Sequence, residues 1–209
     1  MGPGRLNALI DGVFAIALTL LVLDLPKPVD STPLVHVLLH QWPSYVAYLV
    51  SFVTIGILWI EHHGMMSAVR GIDRRFLERT PAFLLFISII PWPTALAAEY
   101  ADRGFTAARA VAVLYAATML MMGLAFALGW RYLARHSELV VEGARPAFSA
   151  GTRRALLGGL VYLLAIAFAF VEPMGSFAID ALVAVYFASS RSRVPALIIQ
   201  STHAEAPDD

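Results

Sequence analysis

Few side chains in this sequence could do chemistry, and most of those are carboxylates and imidazoles. His36 and His40 are four residues apart, the spacing at which one helix face can present two zinc ligands. Glu61-His62-His63 places a carboxylate and two imidazoles in a row, but neighbours on a helix diverge by about 100°. Neither arrangement contains the glutamate of an H-E-x-x-H pattern, so no metal site and no cofactor is expected. The chain has no cysteine, which removes disulfides, thiolate metal sites and cysteine nucleophiles. It also lacks a Ser-His-Asp order, a P-loop and a glycine-rich nucleotide fingerprint, and the reading is of a protein that is not an enzyme. What remains is a carboxylate, Asp11, and a hydroxyl, Thr19, inside the first apolar stretch, with Trp59, His62 and His63 about 50 residues further on. Groups of that kind in an apolar segment face protein or water rather than lipid, and they mark helix contacts or ion paths.

The elements that carry them are membrane spans. Of 209 residues, 59% are hydrophobic and 14% charged, where a soluble domain has about a quarter charged. The apolar residues come in blocks long enough to cross a bilayer, for which about 20 are needed. The blocks predict six spans: Arg5–Leu25, Ser44–Ile60, Ala82–Ala98, Ala107–Leu133, Ala155–Val171 and a short one, Ser176–Ala188. Pro26-Lys-Pro28 ends the first, a short interfacial helix fits Leu34–His40, and Pro91 and Pro93 kink the third. Basic linkers hold Arg70, Arg74, Arg75 and Arg79 after the second span, and residues 134–154 after the fourth. Gly123, Gly158 and Gly159 allow close helix packing. The fold class is therefore all-α and polytopic, with residues 1–190 as one six-helix membrane domain and 191–209 as a polar cytoplasmic tail.

Orientation follows from the basic residues. With the N-terminus inside, cytoplasmic segments carry 12 Lys and Arg and external segments carry 3. Both termini are thus expected in the cytoplasm, in a multi-pass protein of the cell membrane. Asp11 precedes the first apolar run, and Leu-Asp-Leu-Pro-Lys stands where a small-residue cleavage site would be needed, so the segment reads as a span and not a removed leader. Zero formal net charge suggests no nucleic-acid partner. The first three spans and the last three show no repeat, so a pore requires several copies of the chain.

Along the first span, Ile16, Thr19, Leu20 and Leu23 fall in a stripe about 100° wide, and Asp11 lies about 140° from Ile16. The stripe suits a pore lining; Thr19 taken by itself is more commonly a hydroxyl bonding the preceding turn. Asp11 and the Trp59–His63 end of the second span reach the same depth, so Asp11 can meet His or Trp there. Asp180 lies nearer the outer side, and Asp24 and Glu172 at the outer interface.

Arg5-Leu-Asn-Ala-Leu9-Ile10-Asp11-Gly-Val-Phe-Ala-Ile16-Ala-Leu-Thr19-Leu20-Leu-Val-Leu23 resembles the opening motif of the prokaryotic transmembrane protein 175 potassium channels. In that family an Arg-x-x-x-Phe-Ser-Asp precedes an Ala-Ile-Ala-x-Thr-Leu-Leu-Val-Leu run. Leu9 and Ile10 depart from the motif's Phe and Ser. The resemblance implies a homotetramer with four first helices around a central pore. It implies a hydrophobic constriction at Ile16, Leu20 and Leu23, with Thr19 in the neighbouring layer. Arg5, Asp11, Trp59, His62 and His63 then belong to a motif and helix-packing network. Potassium is the permeant ion, and the chain has no Thr-Val-Gly-Tyr-Gly carbonyl filter. The alternative from the residues alone is a secondary or proton-coupled transporter using Asp11, His62 and His63; an integral-membrane metalloenzyme at the histidines is a third reading.

Overall fold

A computed structural model describes residues 3–25 and 34–189, without the side chains of His36, Val37, Ala188 and Ser189. The turn at Pro26-Lys-Pro28, the His36 member of the His36/His40 pair, Arg191, Arg193 and the tail 191–209 lie outside the described residues. The described chain is all helical apart from one antiparallel bridge, Val69 to Val140. The helices are α1 (Pro3–Leu20, continued by a 3-10 turn Leu21–Asp24), α2 (Leu34–His40), α3 (Trp42–Ser67), α4 (Arg74–Ile89), α5 (Pro91–Tyr100), α6 (Phe105–Arg135), α7 (Arg145–Phe168) and α8 (Pro173–Ser189).

Among the described residues five segments are long and apolar enough to cross a membrane: Pro3–Asp24, Trp42–Ser67, Arg74–Tyr100, Phe105–Arg135 and Arg145–Phe168. The sixth apolar helix, α8, starts at Pro173 rather than Ser176 but is still short. Several starts follow proline logic, since the first helical turn has no use for the missing N–H: Pro43 opens α3, Pro91 opens α5 and Pro146 sits in the first turn of α7. Pro91 and Pro93 also break the third span into α4 and α5, and Thr94 Oγ1 donates to the Ile90 carbonyl at 2.8 Å.

The helices outrun the apolar blocks at the arginine-bearing end, which corrects the expected linkers. Arg74, Arg75 and Arg79 belong to α4, and Arg145, Arg153 and Arg154 to α7. Likewise α3 continues past Ile60 to Ser67, so Trp59, His62 and His63 lie inside a helix and not at its end. Arginine is a good helix former with a long stem, so an apolar window closes before the helix does. Asp73 caps α4, its Oδ1 accepting from Phe76 N–H at 2.8 Å. The two remaining short connections are tied together: Arg70 N–H donates to Leu139 O and Val141 N–H to Ala68 O, each at 2.9 Å.

α6, about 46 Å long, is the central strut, packed on α4, α5, α7 and α8, while α1 lies against α3 and α4. α7 makes room for the Trp130 indole of α6 at Gly151, where a Cβ would sit 2.6 Å from the ring. Gly158 faces Phe187 and Gly159 faces Leu120, but a Cβ at Gly123 would meet nothing within 4 Å, so close packing does not require a glycine there.

Candidate pore-lining face of the first helix

α1 buries one face and leaves the other bare. Leu6, Ile10, Phe14, Ala17 and Leu21 face the bundle, 5% exposed or less. Ile16 is 59% exposed, Leu20 41% and Leu23 62%, and Thr19 is exposed beside them. Exposure alone does not single out this row, because Leu157 and Leu164 of α7 are equally bare, as a lipid-facing helix would be. Arg5, Leu9, Gly12, Ile16, Thr19 and Leu23 repeat at steps of four and three, the 3.5-residue seam by which helices pack around a common axis. Spacing does not single them out either, since Arg153, Leu157, Leu160, Leu164 and Ala167 of α7 are exposed at the same steps of four and three; the small and polar residues Gly12 and Thr19 set the α1 row apart. Arg5, at the head of that seam, is exposed and has no hydrogen bond or ion pair among the described residues. A guanidinium on a purely lipid-facing seam would be costly unless it reached the interface.

Thr19 Oγ1 donates to the Ile16 carbonyl at 2.9 Å. That bond uses the hydroxyl proton and leaves the oxygen lone pairs on the bare side, the polarity a cation needs.

Asp11 sits on the flank between the two faces. Its Oδ1 accepts from Trp59 Nε1 at 2.9 Å, joining α1 to α3. The adjacent groups of α3 diverge, as a helix requires. Glu61 points toward α7, with its carboxylate 4.0 Å from Arg154. His62, 4% exposed, stacks on Phe83 at 5.4 Å and touches Phe14 at 6.1 Å and Phe126 at 6.5 Å, tying α1, α3, α4 and α6 together. His63 is exposed, its ring 5.8 Å from Trp59. No group of three His, Cys, Asp or Glu able to hold a metal occurs among the described residues. The Glu61-His62-His63 run, considered as a ligand set, is thus split among three partners.

Several polar features have no local signature in the sequence. Ser51 Oγ lies 2.8 Å from Thr94 Oγ1 and 3.1 Å from the Tyr115 hydroxyl, a buried three-hydroxyl cluster between α3, α5 and α6. Asp180 is 3% exposed, borders a cavity of about 130 Å³ beside Tyr115 and Phe177, and has no hydrogen-bond partner for either oxygen among the described residues. At the other end the Tyr132 hydroxyl donates to Asp73 Oδ2. That bond and the Phe76 N–H hold the Asp73 carboxyl below the usual carboxylate range.

Comparison with known proteins gives this geometry its context. The sequence profile of the family described as endosomal/lysosomal potassium channel TMEM175 matches residues 5–91, which include α1, α3, α4 and all the motif residues above. A protein of Streptomyces collinus named a potassium channel is 41% identical over 195 residues, covering 92% of this chain and 94% of its own. A second potassium channel, of Chamaesiphon minutus, is 37% identical over 190 residues, covering 88% and 93%. The crystal structure of a lysosomal potassium-selective channel TMEM175 homolog from Chamaesiphon minutus superposes with a TM-score of 0.80 at 36% identity, covering 89% of this chain and 96% of that one. Matched along nearly its whole length in sequence and in helix arrangement, this chain belongs to the TMEM175 family of channels.

Proposed function

We propose that this chain is a potassium channel in which several copies, four by family resemblance, enclose a pore with the bare face of α1. The observation that carries the reading is the uncovered row Arg5, Leu9, Gly12, Ile16, Thr19, Leu23, spaced for packing around an axis and set apart from the equally bare and equally spaced leucines of α7 by its Gly12 and Thr19. Relatives named potassium channels support the choice of ion. In this reading α1, α3, α4–α5, α6, α7 and α8 make six crossings of the cell membrane, with both termini on the cytoplasmic side. The excess of arginine at one end of the bundle supports that orientation.

The mechanism follows from side-chain chemistry. Rings of Ile16, Leu20 and Leu23 narrow the pore with methyl groups that offer an ion nothing in exchange for its water. A tight ring empties of water, and the barrier to conduction is dewetting. Small tilts of α1 widen it and admit a partly hydrated ion. At the Thr19 layer the free hydroxyl lone pairs replace some of the lost water oxygens. Potassium gives up hydration at lower cost than sodium, so such a layer favours it modestly. Asp11 and Trp59 act beside this path and not in it: their bond sets the azimuth of α1, and the His62 cluster anchors its buried face.

The test is ion flux from liposomes holding the purified chain, under potassium or sodium gradients, for wild type and Ile16→Asn. Flux that prefers potassium and changes in the variant is expected. Equal and unchanged flux in both would remove α1 from the pore, and no flux of either ion from folded protein would remove the channel reading.

A further inference from the structure

We propose that a cleft at the arginine-bearing end of α4 and α6 binds the phosphate headgroup of an anionic phospholipid. Two arginines one helical turn apart on α4, Arg75 and Arg79, line an open cavity of about 290 Å³ together with two on α6, Arg131 and Arg135, and with Tyr132 and His136. All four arginines are exposed, and no carboxylate lines the cavity. Cytoplasmic arginines are common in membrane proteins and usually mean only orientation. Here they converge from two helices on one concavity, four like charges with no carboxylate among the residues that line it.

The cleft is also held in shape. The Arg79 guanidinium lies 4.2 Å above the centre of the Tyr132 ring, and Arg79 Nη1 donates to the Arg75 carbonyl at 3.4 Å. Tyr132 is fixed in turn by its bond to Asp73. Asp73 interacts with Arg75, and its two oxygens accept from Tyr132 and from Phe76 N–H, so it offsets at most one of the four arginines. His136 Nδ1 is 2.9 Å from the Tyr132 carbonyl, which turns that ring along the cleft wall. Glu78 is occupied by Arg74.

A lipid fits better than a soluble anion because the cleft is graded along the helix axis. Leu128, Arg131, Tyr132 and Arg135 share one face of α6, and Leu128, one turn nearer the middle of the helix, is 57% exposed. An acyl chain would lie on Leu128 while the phosphate, at the interface, meets Arg131 and Arg135. Guanidinium forks recognise phosphate oxygens in pairs, and basic pockets between membrane helices hold anionic headgroups in this way. The site needs only that the chain spans a bilayer; a failure of the flux test would leave it standing.

The experiment is native mass spectrometry of the purified full chain in neutral detergent, with phosphatidylglycerol or phosphatidylcholine of the same acyl chains. Wild type should retain phosphatidylglycerol roughly tenfold better. Arg131→Gln with Arg135→Gln should abolish that preference, and Arg131→Lys with Arg135→Lys should keep most of it, which separates charge recognition from damage to the fold. Arg103→Gln, at the far end of the bundle, should change nothing. Equal retention of the two lipids by wild type, or undiminished preference in the glutamine pair, would overturn the proposal. Arginine-dependent binding of inorganic pyrophosphate without any lipid preference would overturn the lipid as the occupant and assign the cleft to a free phosphate anion.

Discussion

On the inner side of α1, Ile10, Phe14, Ala17 and Leu21 are 1% exposed; on the outer side, Leu9, Ile16 and Leu23 are 57%, 59% and 62% exposed. Both sides are aliphatic, and hydrophobicity does not tell them apart. What differs is the punctuation. The inner face carries Phe14, which packs against both His62 and Phe83 and has the size to lock three helices. The outer face carries Arg5, Gly12 and Thr19, residues that neither fill a core nor please a lipid. In a membrane an apolar face gains nothing from water exclusion, because lipid is as apolar as leucine. Shape and the occasional polar group therefore decide which face holds the subunit together and which is left for another role.

The contrast can be broken by substitution. The largest effect is expected on the inner face: Phe14→Ala should cost about 3 kcal/mol, near the low end for a buried aromatic because lipid also solvates the unfolded state. Thermal unfolding in detergent reads this directly, and a loss below about 1 kcal/mol would mean that α1 is not anchored through Phe14. On the outer face the cost should appear in transport instead. Ile16→Asn should leave the melting temperature of the purified protein within a few degrees and raise flux about tenfold, a barrier change of about 1.4 kcal/mol. A flux unchanged by this variant would make the outer face an ordinary lipid contact.

Between the faces, Trp59→Phe removes the donor to Asp11 and should cost about 1 kcal/mol, discounted because both groups are partly solvated. A double-mutant cycle with Asp11→Asn isolates the pair; a coupling indistinguishable from zero would strip the bond of any role in orienting α1. The smallest expected effect is that of Thr19→Val. The hydroxyl caps a local carbonyl, so stability should shift by no more than about 0.5 kcal/mol. Loss of the lone pairs should lower the preference for potassium over sodium about two- to threefold, read as reversal potential in a planar bilayer.

The exposed stripe Ile16, Thr19, Leu20 and Leu23 of α1 is legible from residue spacing, because it is a property of one helix at a known angle per residue. The meeting of Asp11 and Trp59 follows from counting depth along two antiparallel spans, and the structure selects Trp59 rather than a histidine as the partner. The linkers at the arginine end were misread for a physical reason. Hydropathy reports where apolar residues stop, whereas the backbone of α4 and α7 continues through Arg74, Arg75, Arg153 and Arg154 without a break. The arginine cleft was hidden with them, since it joins Arg75 and Arg79 to Arg131 and Arg135 across more than 50 residues of chain.

Composition and period alone determined that this is a helical membrane protein and that α1 has two unlike sides, because lipid demands long apolar helices and a helix orders its side chains by angle. Tertiary structure decided which polar groups meet. His62 went into an aromatic core while its neighbour His63 stayed outside, Glu61 turned to Arg154, and Asp180 was enclosed without a partner among the described residues. Those outcomes depend on which helix packs against which. That choice is made by the summed fit of whole helix surfaces, such as the approach of α6 and α7 at Gly151, and no short stretch of sequence contains it.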